Sequence, residues 1–234
     1  MVDLGTQMSL VRRDESSFLL LDSYELDDED RQRLLELTDG GKAIAAVLNL
    51  HPFHTLHCKA IHDLLPHAKL FGTARHHAKQ PSLPWQPEPM ESAEAQTLFS
   101  DCFEFDIPRG VDFISSDKKV HVGSVLARHR TSRILHVDDT INVFKLPGLL
   151  RLLPPGPRIR FHPMLRKALQ QRAGAGRDYA DWARELAQRW ADTTTVCAAH
   201  SAIHRLSVGQ FERETLAALD AVADVLTAHD RAFA

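Results

Sequence analysis

Three imidazoles stand close together in Asn49-Leu50-His51-Pro52-Phe53-His54-Thr55-Leu56-His57. Histidine is the commonest metal ligand and the side chain that titrates near neutrality, so this cluster predicts a metal loop or an acid–base group. The chain holds 14 histidines, and most must be surface or packing residues. Placement separates the rest. His121 stands alone in an apolar stretch, Asp138-Asp139 follows Ile134-Leu135-His136-Val137, and His200 follows Thr195-Val196-Cys197-Ala198-Ala199, with His204 nearby. Each has a structural reading: a packing histidine for His121, a turn former for Asp138-Asp139, an ordinary strand-end residue for His200. Together they give a histidine cluster, a lone histidine, a carboxylate and a last histidine, a set that suits zinc, iron or manganese.

The elements around these residues decide whether they can meet. Ala43 to Leu50 reads as a buried strand and His57 to Leu65 as a helix, so His51, His54 and His57 sit on the loop from strand end to helix, where α/β folds hold ligands. Before them come strands at 8–12 and 17–21, joined as a hairpin by Asp14-Glu15-Ser16. A helix at 26–37 follows, with acidic residues in its first turn. Ala68 to Gly72 reads as a strand. His76 to Glu91, with Pro81, Pro84, Pro87 and Pro89, reads as a loop bordering the site; within it His76 and His77 read as solvated, with contact to an anionic substrate as the functional alternative. Leu98-Phe99, Phe103 to Ile107 and Val111 to Ile114 read as short strands or strand edges. Val120 to Arg128 and Arg133 to Thr140 read as a hairpin that carries His121 and Asp138-Asp139 to one sheet end. Pro147-Gly148, Pro154-Pro155-Gly156-Pro157 and Gly174-Ala175-Gly176 punctuate a helical region at 145–192 whose clearest helix is Arg177 to Ala191. Tyr179, Trp182, Leu186 and Trp190 recur along it at core spacing. A last strand at 193–199 and one amphipathic helix from Val208 to Phe233 close the chain.

Composition narrows the classes. The chain has 234 residues, 44% of them hydrophobic and 25% charged, which suits one globular domain. A net charge of -3 gives no basic field for nucleic acid. Cys58, Cys102 and Cys197 form no CxxC pair, and the first residues show no secretory pattern, so the expectation is a cytoplasmic protein with free thiols. No apolar run reaches the roughly 18 residues that span a bilayer, so no membrane partner is expected.

The order of these groups resembles the metallo-β-lactamase superfamily. Val120-His121-Val122-Gly123-Ser124-Val125 is similar to the family's G-H-[ST]-x-G-S motif, one residue short. Ile134-Leu135-His136-Val137-Asp138-Asp139-Thr140 is similar to L-F-x-G-D-T and sets Asp139 at the ligand position. Val196 to Ser201 is similar to the strand that ends in the last histidine. The resemblance covers about residues 6 to 205. It implies an α/β fold, a four-layer αββα sandwich, over residues 1–234 as a single domain with a helical insertion at about 145–192. That insertion is the place for a lid or a homodimer surface. The resemblance further implies one or two zinc ions, with iron or manganese as alternatives. His51, His54 and His121 would hold one ion; His57, Asp139 and His200 would hold the other, with Asp139 bridging and Asp138 as a supporting carboxylate or replacement base. The implied activity is hydrolysis of a small ester, thioester, lactone or phosphodiester by metal-activated water. The first motif, T-H-x-H-x-D-H in the family, departs here. With His54 and His57 in register, Leu56 stands at the Asp and Pro52 at the first His, while His51 lies one residue away. A leucine neither ligates nor accepts a proton. The alternative is therefore a degenerate member that binds metal or a partner without hydrolysis; an iron redox site is a third, with no flavin-binding segment beside it.

Overall fold

A computed structural model describes residues 7–144, 157–199 and 202–234. The chain divides into two compact units, residues 6–103 and residues 104–234.

The first unit is built on a four-stranded sheet of order β1-β2-β3-β4: Ser9–Arg12, Phe18–Leu21, Ile44–Leu48 and Lys69–Phe71. The β1–β2 pair is the expected antiparallel hairpin. The β2–β3 and β3–β4 pairs are parallel, so each needs a crossover, and helices α1 (Asp28–Leu37) and α2 (Cys58–Leu64) supply them. Asp27 starts α1 by accepting the Asp30 N–H at 2.8 Å, and the acidic first turn favours the helix dipole. Leu20, Ile44, Val47, Ile61, Leu65 and Leu70 form the core between sheet and helices. Two expectations change here. His76 and His77 lie on a helix, α3 (Ala74–Lys79), because Thr73 caps it with a box completed by His76. Leu98-Phe99 is no strand edge, since it follows helix α4 (Ala93–Thr97) into a turn.

The second unit carries a five-stranded sheet of order β11-β10-β7-β6-β5. Its strands are β5 (Phe103–Asp106), β6 (Leu126–His129), β7 (Ile134–Val137), β10 (Thr195–Ala198) and β11 (Ala202–Arg205); β8 (Ile141–Val143) and β9 (Ile159–Phe161) pair separately. Parallel pairing of β7 with β10 aligns Val137 with Ala198, so the two strands end together. Helices α5 (Leu165–Ala168) and α6 (Ala175–Arg189) follow β9, and α7 (Gln210–Asp220) and α8 (Ala223–Ala232) close the chain. The stripe Tyr179, Trp182, Leu186 and Trp190 is core, as its spacing predicts, packed with Phe161, Leu135 and Val137. At Gly176 any Cβ would lie 2.5 Å from the Leu226 carbonyl, so glycine is what lets α6 approach α8.

Several boundaries move. The strand expected at 120–128 is confined to β6. Residues 120–125 are coil that presses on backbone, and a Cβ on Gly123 would meet the Phe113 Cα at 2.7 Å. Val111 makes only an isolated bridge to Leu169. The closing helix is two helices, because α7 packs on β9 and α6 while α8 packs on α6 and α5. The region read as helical at 145–192 includes strand β9; residues 145–156 of it lie outside the described residues. Among the described residues, no helix is long and apolar enough to cross a membrane.

Candidate metal centre

The histidine loop runs from the end of β3 to the start of α2, as the sequence predicts. Its entry is pinned. Asp22, just after β2, has φ of 63°, a left-handed geometry that Asp tolerates, and its carboxylate accepts the Leu50 N–H at 2.8 Å. Asn49 donates to the Phe71 carbonyl at 2.9 Å. Inside the loop, His54 N–H closes a turn on the His51 carbonyl at 3.1 Å. The result is a pair: the His51 and His54 rings stack with centroids 4.0 Å apart, and each offers a ring nitrogen within 4.8 Å of the other. His51 is fully buried and His54 half-buried.

Three further side chains hold the loop. Tyr24 Oη lies 2.7 Å from His54 Nδ1. His76 Nε2–H donates to the His54 carbonyl at 3.2 Å, while its Nδ1 accepts the Thr73 N–H at 3.1 Å. Gln80 donates to the Thr55 carbonyl, and the Cys58 thiol points at the His54 carbonyl at 3.6 Å. Burial holds the His76 pKa down at about 4, against an ordinary 6.5, so its ring is neutral and clamps as an N–H donor. Burial, with the Asp22 carboxylate nearby, pushes the Cys58 thiol up to about 12, so Cys58 is a packing group and no nucleophile at neutral pH. His57 stands at the residue before α2 without a side-chain capping bond, its ring 6.5 Å from that of Tyr24. Leu56, at the position of the family's carboxylate, is 80% exposed.

In the second unit, Asp138 and Asp139 follow β7 directly, as expected. Thr140 fixes their turn: its hydroxyl donates to the Val122 carbonyl at 2.7 Å and accepts the Ser124 N–H at 3.2 Å. These bonds tie the segment after His121 to the turn after Asp139. The His121 ring itself, however, donates from Nε2 to the Lys118 carbonyl in its own loop. Asp138 is 1% exposed and Asp139 9%. Strand alternation puts His136 and Asp138 on the same face of β7, and they offer ligand atoms within 4.8 Å of each other. His200 lies outside the described residues. His204 is committed to Glu214 at 3.2 Å. Sequence reasoning missed Tyr24, His76 and His136. Thr73-Ala74-Arg75-His76 does carry capping-box spacing, with histidine in the usual Glu position, and was the available signal for His76.

His54 fits a metal ion: a hydrogen bond from Nδ1–H to a tyrosine hydroxyl orients the ring and sets Nε2 as the ligating nitrogen. His51 fits by burial and proximity. Its Nδ1, however, accepts the Phe53 N–H at 3.2 Å, so the neutral ring carries its proton on Nε2, and ligation through Nε2 requires that contact to be released.

Solved structures share this fold. A metallo-β-lactamase named DIM-1 is 13% identical, with 91% of this chain and 86% of that chain covered, at a TM-score of 0.56. The metallo-β-lactamase of Erythrobacter litoralis is 14% identical over 91% of this chain and 83% of that one, at 0.54. The metallo-β-lactamase of Hirschia baltica is 14% identical over 92% and 85%, at 0.54. No family model and no curated protein matches the chain. The fold is that of the metallo-β-lactamases, as the sequence resemblance implies.

Proposed function

We propose that this protein is a metal-dependent hydrolase of small esters, thioesters, lactones or phosphodiesters, with zinc as its metal and iron or manganese as alternatives. The observation that carries this reading is the stacked pair of His51 and His54, 4.0 Å apart and braced by Tyr24 and His76. His54, already oriented by Tyr24, loses little freedom on ligating, which favours a bound ion. Asp139 is the proposed carboxylate ligand, with His57, His121 and His200 as the remaining donors and Asp138 as the base. A bound ion would lower the pKa of a water toward neutrality and polarise a carbonyl or phosphoryl oxygen. Tyr24 orients His54, and the neutral His76 holds the loop carbonyl that sets the ring's direction. The whole chain is proposed to act as one cytoplasmic domain, with the region at 145–192 as a lid or a homodimer surface.

One observation favours a second reading. Leu56 gives the loop an exposed methyl-bearing side chain where the family's motif has a carboxylate, which suits a protein that binds metal without hydrolysing. A panel of p-nitrophenyl acetate, a thioester, a lactone and bis-p-nitrophenyl phosphate, run with zinc, iron(II) and manganese, separates the two. The hydrolase reading expects turnover of at least one substrate that Asp139→Ala abolishes without unfolding. Metal binding with no turnover of any substrate would support the binder instead.

A further inference from the structure

Arg75, the second residue of α3, holds its guanidinium over the Phe53 ring of the histidine loop, with Cζ 4.1 Å from the ring centroid. Phe53 lies 6.0 Å from the His51 ring, and His51 lies 4.0 Å from His54. A cation thus stands one ring away from the proposed metal pair. Of the other arginines stacked on rings, Arg13 pairs with Asp101 and Arg128 with Glu104 and Asp192, while Arg12, over Phe18, donates to the Glu15 carbonyl. Arg75 has no carboxylate partner among the described residues, and its buried Nε has no hydrogen-bond partner. The nearby Glu91 carboxylate is committed to the Ala74 N–H at 3.0 Å. Stacking on a ring uses the face of a guanidinium and leaves its N–H edge free. That edge matches an oxyanion, and a stacked guanidinium is already ordered for it.

We infer that Arg75 is the anion-binding residue of this site and that the substrate carries a carboxylate or phosphate group. The inference rests on the hydrolase reading for the word substrate, but the anion site stands on its own geometry. The Phe53 and Ala74 backbone amides report on it by NMR. Full-length protein without added metal is titrated with sodium phosphate, acetate and chloride at constant ionic strength, and zinc binding is measured separately. Saturable shifts are expected with phosphate or acetate and not with chloride, and the stronger of the two identifies the oxyanion. Arg75→Gln should weaken that affinity about tenfold or more, and Arg75→Lys, which keeps the charge without the fork, should fall between. Both variants should bind zinc as wild type does. Equal oxyanion affinity in wild type and a folded Arg75→Gln, or no saturable oxyanion binding in wild type, would overturn the inference. Failure of wild type to bind zinc would overturn the metal reading alone.

Discussion

Two buried histidine environments, one in each unit, put the same side chain to different uses. In the second unit, His204 is 5% exposed and its Nε2 is held by Glu214, which also accepts the Arg158 N–H at 2.8 Å, the Ile159 N–H at 3.0 Å and the Gln210 amide at 2.8 Å. Those bonds tie β11, β9 and α7 together, and the imidazole is one donor in a structural bracket. In the first unit, the His51 and His54 rings stack 4.0 Å apart, with a tyrosine hydroxyl on His54 Nδ1, the Phe53 N–H on His51 Nδ1 and the His76 ring on the His54 carbonyl. Burial alone therefore does not mark a metal site. The neighbours of the ring matter more: His204 spends its Nε2 on Glu214, whereas His54 meets Tyr24 through Nδ1 and has a second imidazole, His51, stacked against it.

The largest expected effect lies in the bracket. Glu214→Ala leaves two peptide N–H groups and the His204 ring without their acceptor and should cost about 3 kcal/mol in urea unfolding, without changing metal binding. Burial raises the Glu214 pKa, but its bonds to His204, Gln210, Arg158 and Ile159 outweigh that and hold it at about 2, against an ordinary 4.5. A depressed carboxylate contributes stability that is present above its unfolded pKa, so this contribution should fade as pH drops from about 4.5 toward 2.

Next comes the clamp on the histidine loop. His76→Phe keeps the ring's bulk but loses the bonds of both ring nitrogens, and should cost about 2 kcal/mol and weaken zinc binding about tenfold, read by calorimetry. The His76 pKa is also depressed, so wild type binds fewer protons folded than unfolded between about 4 and 6.5. Stability should therefore fall as pH drops through that window, and His76→Phe should remove most of the slope. A wild-type stability flat from pH 6.5 to 4 would contradict the buried neutral ring.

Tyr24→Phe should have a smaller effect, about 1 kcal/mol in stability, together with a loss of zinc affinity that exceeds any change at the His204 bracket. Smallest is Leu56→Asp. The side chain is 80% exposed, so stability should stay within about 0.5 kcal/mol of wild type. Its value lies in activity: restoring the carboxylate should raise turnover if its absence limits hydrolysis, and unchanged turnover would show that Leu56 is not the limiting departure.

Local patterns made much of this readable. The β1–β2 hairpin, the strand before the histidine loop and the helix after it follow from apolar runs and turn residues, and the Asp138-Asp139 strand end follows from the same logic. The region around Val120 misled because Gly123 and its neighbours are apolar for close backbone approach, which looks like a strand in one dimension. His76 was misread as solvated because its partner, the His54 carbonyl, lies 22 residues away. Tyr24 gave no signal for a similar reason, since its hydroxyl meets His54 across 30 residues. The sequence therefore shows which residues can ligate, and the fold shows which of them are held in place to do so.

A metal held in the first unit would rest on the His51–His54 pair. Zinc stoichiometry by mass spectrometry of the folded protein, for wild type and His54→Ala, tests it most directly. Wild type should hold metal, and His54→Ala should lose it with the fold retained. Wild type free of metal after zinc loading, or His54→Ala retaining the same stoichiometry and affinity, would contradict it.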